Sequence, residues 1–362
     1  MKIALVHDYL VQYGGAERVL ENFCELFPHA PIFTLLYDEK ATHGRFQNRT
    51  IYTSSLQKWP FVRKQHRIFP LFMPSAIEEF DFSRFDVVLS DSSSFAKGII
   101  TPPQTVHICY MHTPMRYAWD DCQRYIREFR HIFPIKIFIP FLINMIRLWD
   151  KASANRPDNI IANSEFVARR IKKYYHREVT VIHPPVDVQK FFSQKEEDYF
   201  LIVGRLIAYK RHDIVIEAFN RSGKKLKIIG VGPEEKRLRS YARKNIEFLG
   251  HIDDEKLTHY YARCRGLLFP QEEDFGIVAV EALASGKPII AFRGGDIIRH
   301  VREGKEGVFF EEQTVEGIED ALRRFEKISF NAHTIRKRAL RFDKKEFQAT
   351  IEVYIKKIVM EM

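Results

Sequence analysis

The sequence predicts an α/β protein built from two parallel-sheet domains, and three observations carry that reading. Short apolar runs alternate with amphipathic helix patterns from residue 2 onward. The alternation stops at a double proline in IHPPVD (182–187) and then restarts. The polar and glycine-bearing signals fall just after the apolar runs. Strand–helix alternation argues for a parallel sheet covered by helices on both faces. In such sheets ligands sit beyond the carboxyl ends of the strands.

In the first run, KIALVH (2–7) reads as a strand and YLVQYGG (9–15) as a loop. AERVLENFCELF (16–27) is an amphipathic helix with Ala16, Val19, Leu20, Phe23 and Phe27 on one side. FDVVLSDS (85–92) and TVHICYMHTP (105–114) are strand-then-loop units, and NIIANSEFVARRIKKYY (159–175) is a strand followed by a helix. VTVIHPPVD (179–187) closes this half. In the second run, DYFLIVGRL, KLKIIGVGP, IEFLGH, GLLFP, KPIIAF and GVFF read as strands. HDIVIEAFN, EEKRLRSYARK and DEKLTHYYARC read as the helices between them. The double proline marks the boundary, giving domains at 1–185 and 186–345. EFQATIEVYIKKIVMEM (346–362) ends the chain as a helix with Phe347, Ile351, Tyr354, Ile358 and Met362 on one face. That face needs a partner, and the first domain is the expected one.

The length of 362 residues suffices for two cores. Hydrophobic content of 45% with 29% charged residues excludes a disordered or membrane-embedded chain. MKIALVHDYL runs straight into a strand pattern, so no secretory signal is expected. The longest apolar stretch, IKIFIPFLINMIRLW (135–149), is interrupted by Lys136, Pro140 and Arg147 and does not read as a membrane span. Cys24, Cys109, Cys122 and Cys264 lack paired spacing and fit reduced cytosolic thiols. The net charge of +10 is concentrated. Residues 41–77 hold Arg45, Arg49, Lys58, Arg63, Lys64 and Arg67 without an acid; residues 122–149 hold Arg124, Arg127, Arg130, Lys136 and Arg147 against Glu128 alone. Aromatic and aliphatic residues run through both stretches. Such surfaces suit anionic lipid headgroups, or a solvated face with a buried apolar side. Nucleic acid is not an expected partner.

The densest chemistry lies in EEDFGIVAVEALASGKPIIAF (272–292). Glu273 falls in a loop, Gly276 marks a helix entry, and Glu281 sits about one turn inside that helix. Helical side chains lean toward the N-terminus, so both carboxylates reach the space before the helix end. The unpaired N–H groups and dipole there suit a phosphate, and carboxylates accept from sugar hydroxyls. Arg205 and Lys210 follow the strand FLIVG; a guanidinium and an ammonium so placed suit a diphosphate, or form a surface pair among the many basic residues. Gly14 and Gly15 follow the first strand without a G-x-G-x-x-G pattern. They allow close approach of a ligand, or serve a tight turn with positive φ. His112 stands where its strand should end, with Thr113, Arg116, Tyr117, Trp119 and Asp120 forming a polar-aromatic loop. His7 and Asp8 close the first strand; Asp8 lines the same wall or caps the local structure. Turn chemistry accounts for Ser92, Ser93 and Ser94.

These motifs, in this order, resemble family 4 of the glycosyltransferases (the glycosyl transferases group 1). HDYLVQYGGAERVLE, NSEFVARRIKKYY, VIHPPVD, VGRLIAYKRHDIVIEAF, IIGVGP and EDFGIVAVEALASGKPIIA carry the resemblance over nearly the whole chain. It implies the GT-B fold, two Rossmann-like domains facing each other across a cleft, with the acceptor on the first and a nucleotide sugar on the second. It further implies a retaining hexosyltransferase with no metal cofactor, using front-face attack in which the leaving phosphate takes the acceptor proton. Arg205 and Lys210 would hold the diphosphate, with Gly232 of IIGVGP beside the donor. Glu273 would meet sugar hydroxyls, backbone groups of Phe275, Gly276 and Ile277 the sugar and phosphate, and Glu281 the ribose. His112 would contact the sugar near the reacting carbon. Gly14, Gly15, Asp8, Arg116, Trp119 and Asp120 would form the donor and acceptor loops. HTPMRYAWD resembles bacterial mannosyltransferases that build O-antigen and related polysaccharides. That implies GDP-mannose as donor, a lipid-linked saccharide as acceptor, and a cytoplasmic protein touching the inner face of the cell membrane. A UDP-sugar transferase and a sugar-nucleotide epimerase on the same fold are the alternatives.

Overall fold

The computed structural model describes residues 1–65, 69–120, 122–123 and 133–361, with side chains for all of these except 64, 65 and 133–137. Arg67, Arg124, Arg127, Glu128, Arg130 and Met362 of the sequence reading lie outside the described residues, as do the side chains of Lys64 and Lys136. The chain forms two compact units. One comprises Met1–His183 with Gln348–Met362, the other Pro184–Phe347.

The first unit holds a seven-stranded sheet in the order β3-β2-β1-β4-β5-β6-β7. Its strands are β1 (Ile3–His7), β2 (Ile32–Thr34), β3 (Ile51–Thr53), β4 (Val87–Ser92), β5 (Val106–Met111), β6 (Asn159–Ala162) and β7 (Thr180–Val181). Every pairing is parallel. β1, β4 and β5 are buried throughout, polar residues included, as central strands of a sheet covered on both faces are. Ala4, Val6, Phe33 and Val88 join Leu56, Met73 and Ile146 in one core cluster. Helices Gly15–Leu26, Phe133–Ser153 and Glu165–Tyr175 are the long ones described here. Ser164 caps the last by accepting from the Val167 N–H at 3.1 Å. β2 and β3, absent from the sequence reading, are three residues each, too short for a periodic signal.

The second unit holds a six-stranded parallel sheet in the order β10-β9-β8-β11-β12-β13. Its strands are β8 (Phe200–Val203), β9 (Leu226–Ile229), β10 (Ile246–Gly250), β11 (Leu267–Phe269), β12 (Ile289–Phe292) and β13 (Gly307–Phe310). Helices His212–Ser222, Asp254–Arg263, Ile277–Ala284, Val315–Phe325 and Ala332–Ala339 cover it. In each sheet the strand order reverses at one point, between β1 and β4 and between β8 and β11. The crevice outside such a switch point is where open α/β sheets take ligands.

The final helix, Lys344–Met360, runs on into the first unit. Gln348 there donates to Glu25 at 2.8 Å on the helix Gly15–Leu26. Its buried line is Phe347, Ile351 and Ile355. Tyr354 and Ile358, expected on that line, are only half-buried, because the seam follows a strict four-residue row that the mixed spacing did not anticipate. Among the described residues no helix is long and apolar enough to cross a membrane.

Candidate functional site

In the second unit the charged residues converge at the ends of β8 and β11. Glu273 follows β11 and meets the Lys210 Nζ at 2.7 Å. Gln271 donates to the same carboxylate at 3.1 Å. Lys210 ends the short 3₁₀ turn Ala208–Lys210 and is buried. Burial pulls its pKa down, but the adjacent Glu273 carboxylate outweighs that and holds the ammonium above the usual lysine value. Arg205 is exposed and close enough to oppose this effect electrostatically. Sequence reasoning gave Lys210 and Glu273 separate ligands; the structure pairs them with each other. Each of the two charges is thus already engaged by the other within the unit.

Glu281 lies on the helix Ile277–Ala284 and is buried. Its Oε2 accepts from the Tyr261 hydroxyl at 2.8 Å. Tyr261, fully buried on the helix Asp254–Arg263, was not read as a functional residue. It sits on that helix's apolar side and gives no local signal of its task. Gly276 caps the helix Ile277–Ala284 at φ +90°, a left-handed conformation that glycine alone adopts readily. Phe275 is buried between His300 and Phe342, ring centroids 4.7 and 5.3 Å away. Its carbonyl accepts from His300 Nε2 at 2.9 Å. The N–H of Asp296 donates to the Glu273 carbonyl at 3.1 Å. Asp296 and His300 thus brace the 273–276 loop from the next turn of chain, a role with no sequence signature. Gly232 has a structural reason: a Cβ there would lie 2.3 Å from the Leu206 carbonyl oxygen. Its glycine serves the close packing of the loops after β8 and β9.

In the first unit His112 follows β5 directly, and its Nε2 lies 2.5 Å from Asp91 Oδ1. Asp91, fully buried on β4, holds His7 Nδ1 with its other oxygen at 2.9 Å. Glu17 lies 3.7 Å from the far nitrogen of His7 and accepts from the Gly14 N–H at 2.8 Å. Burial alone would lower the pKa of His7; hydrogen bonds to Asp91 and then Glu17 overturn that and raise it to about 10. Burial would raise that of Asp91, yet His112 and then His7 hold it below the usual carboxylate range. Neither Gly14 nor Gly15 has a positive φ; Gly14 is extended at −152°. The positive-φ turn expectation therefore fails for both. Asp8 accepts from the N–H groups of Ser93, Phe95 and Ala96 at 2.7, 2.7 and 2.6 Å. Both its oxygens are occupied in anchoring the loop after β4, which is capping, the second of its two expected roles.

The loop after His112 is pinned from behind. Trp119 donates to Asp150 at 2.7 Å and stacks on Tyr174 at 4.7 Å. Asp120 pairs with Arg170 and accepts from Tyr174, and Arg170 donates to Thr113. Asp150 also holds Lys97, both buried, and the Tyr175 hydroxyl. Trp119 and Asp120, read as ligand contacts, here orient the loop. Arg116 lies half-buried in it.

A family model for glycosyl transferases group 1 matches residues 185–342, and one for glycosyltransferase family 4 matches residues 13–190. An uncharacterised glycosyltransferase of Methanocaldococcus jannaschii is 27% identical over 181 residues, 49% of this chain and 52% of that protein. The O-antigen chain mannosyltransferase C of Escherichia coli is 27% identical over 187 residues, 47% of this chain and 49% of that one. The chain thus spans about half the length of the curated relatives it matches. The crystal structure of HepE from Anabaena, in complex with UDP, superposes with a TM-score of 0.71 at 17% identity, covering 99% of this chain and all of that one. With two parallel-sheet units and both models matched in tandem, the chain belongs to family 4 of the glycosyltransferases and has the GT-B fold.

Proposed function

We propose that the protein transfers a hexose from a nucleotide sugar to a lipid-linked saccharide, with GDP-mannose the favoured donor and an α linkage retained. The observation that carries this reading is the set Arg205, Lys210, Glu273 and Tyr261-held Glu281 on the second unit. Arg205 and Lys210 take the diphosphate and stabilise the charge that develops as the sugar leaves. Glu273, displaced from Lys210, accepts from sugar hydroxyls, and Glu281 from the ribose. The acceptor oxygen bonds to the sugar carbon as its bond to phosphate breaks, and the departing phosphate oxygen takes the acceptor proton. Two protein cations balance that charge, so the reading includes no metal cofactor. Mannose is supported by the HTPMRYAWD stretch (112–120) and by the name of the E. coli relative.

The acceptor's lipid would bring the protein to the inner face of the cell membrane. Phe138, Phe141, Met145 and Leu148 lie on one face of the helix Phe133–Ser153 and are each 48–62% exposed. The one acid of that helix, Asp150, is buried against Lys97. An apolar face free of carboxylates suits insertion among anionic headgroups. Thermal-shift measurement with GDP, GDP-mannose, UDP and UDP-glucose tests the donor. Stabilisation by the GDP compounds alone supports the reading. Stabilisation by UDP compounds alone replaces the donor, and no shift with any of the four removes the reading.

A further inference from the structure

The cluster behind His112 is built for more than packing. Strand register sets His7 opposite Asp91, and the His112 N–H extends the β4–β5 ladder by donating to Ser92 O at 2.9 Å. One carboxylate therefore stands between two imidazoles at the sheet's switch point. The side chains of His7, Asp91 and Glu17 are at most 3% exposed, whereas that of His112 is 12% exposed. His112 is thus the member that a ligand can reach. The Tyr110 ring packs against it at 5.4 Å, near edge-on. We infer that Asp91 is the positioning residue of His112: it fixes the imidazole with Nε2–H turned inward, so that Nδ1 meets a hydroxyl of the bound saccharide.

Hydrogen-bond direction decides which ring nitrogen carries the proton. An ionised carboxylate only accepts, so both rings present N–H to Asp91. His7 occupies Oδ2, which aims Oδ1 at His112. In the neutral imidazole, a proton on Nε2 leaves Nδ1 as an acceptor. The matching ligand group is a hydroxyl donor, of which a sugar offers several. Glu17 completes the arrangement from the other side of His7 and ties it to the Gly14 loop. This inference rests on the sugar-transfer reading for its ligand, but its geometry stands independently.

Histidine-selective ¹⁵N NMR tests the geometry, with the His112 signal assigned by its loss in His112→Gln. The expected pattern is Nε2 protonated and Nδ1 bare, changing in Asp91→Asn. A protonated Nδ1 on a neutral His112 ring in the unmutated protein would overturn the inference, and needs no variant to fold. Turnover is read as nucleoside diphosphate release from GDP-mannose or UDP-glucose, whichever gives the thermal shift. Asp91→Asn should lower kcat roughly 10- to 100-fold, the range seen when outer partners of a functional histidine are removed at metal sites, with the donor KM held. The double variant Asp91→Asn/His112→Ala should be no slower than His112→Ala. Losses that multiply would show that Asp91 acts elsewhere and overturn the positioning role. If neither nucleotide sugar binds or turns over, the transfer reading falls, while the NMR pattern still decides whether Asp91 sets the ring.

Discussion

Glu281 is a buried carboxylate that accepts from the Tyr261 hydroxyl, and the two partners are expected to matter to different degrees. With Glu281 in the proposed role of ribose acceptor, Glu281→Ala should lower nucleotide affinity by about 1–3 kcal/mol. Tyr261→Phe removes only the orienting bond, with an expected loss of about 0.5–1.5 kcal/mol. Isothermal titration with the stabilising nucleotide checks both, and equal affinity in all three proteins would take the ribose role from Glu281. His7 makes a separate prediction about pH. Its folded pKa of about 10 lies above the ordinary 6.5, so its contribution to stability is complete below pH 6.5 and drains away as pH rises toward 10. Denaturant midpoints of the unmutated protein should fall across that window more steeply than those of His7→Gln.

At the scale of single elements, the entry to the helix Ile277–Ala284 is constrained twice over. A Cβ at Gly276 would meet the Phe269 ring at 3.0 Å as well as the left-handed backbone. Gly223 shares the left-handed backbone at φ +68° but has open space around it. The backbone term alone is about 1–2 kcal/mol. Gly276→Ala should therefore lower Tm more than Gly223→Ala, and it alone should weaken nucleotide binding. Parallel melting curves with and without nucleotide make the comparison, and equivalent behaviour would separate Gly276 from the donor loop.

For the whole molecule, a net charge of +10 and an exposed apolar helix face act together. Binding to vesicles of anionic phospholipid should weaken as salt is raised, because exposed charges are screened beyond roughly 10 Å at 0.1 M. Phe138→Ser/Phe141→Ser should lower it further at every salt concentration without lowering Tm, since both side chains already face solvent. Co-sedimentation gives the readout. Retention of full binding by the double variant would move the contact away from the helix Phe133–Ser153.

Two sheets, a restart at the double proline and charged residues after β8 and β11 were legible in the sequence, because parallel strands and phosphate-seeking ends leave local patterns. The interior partners were not. Tyr261, Asp91 and His300 reach their targets across 20, 21 and 25 residues, and nothing near them in the chain signals those bonds. Trp119 and Asp120 look like ligand contacts when read in line, yet the helix Glu165–Tyr175 claims both. The order of residue types along the chain determined the architecture and the family, since periodicity and short motifs survive without tertiary contact. Folding alone decided which oxygen of each carboxylate is already engaged, because hydrogen-bond partners are set by which strand ends and helices come together in space.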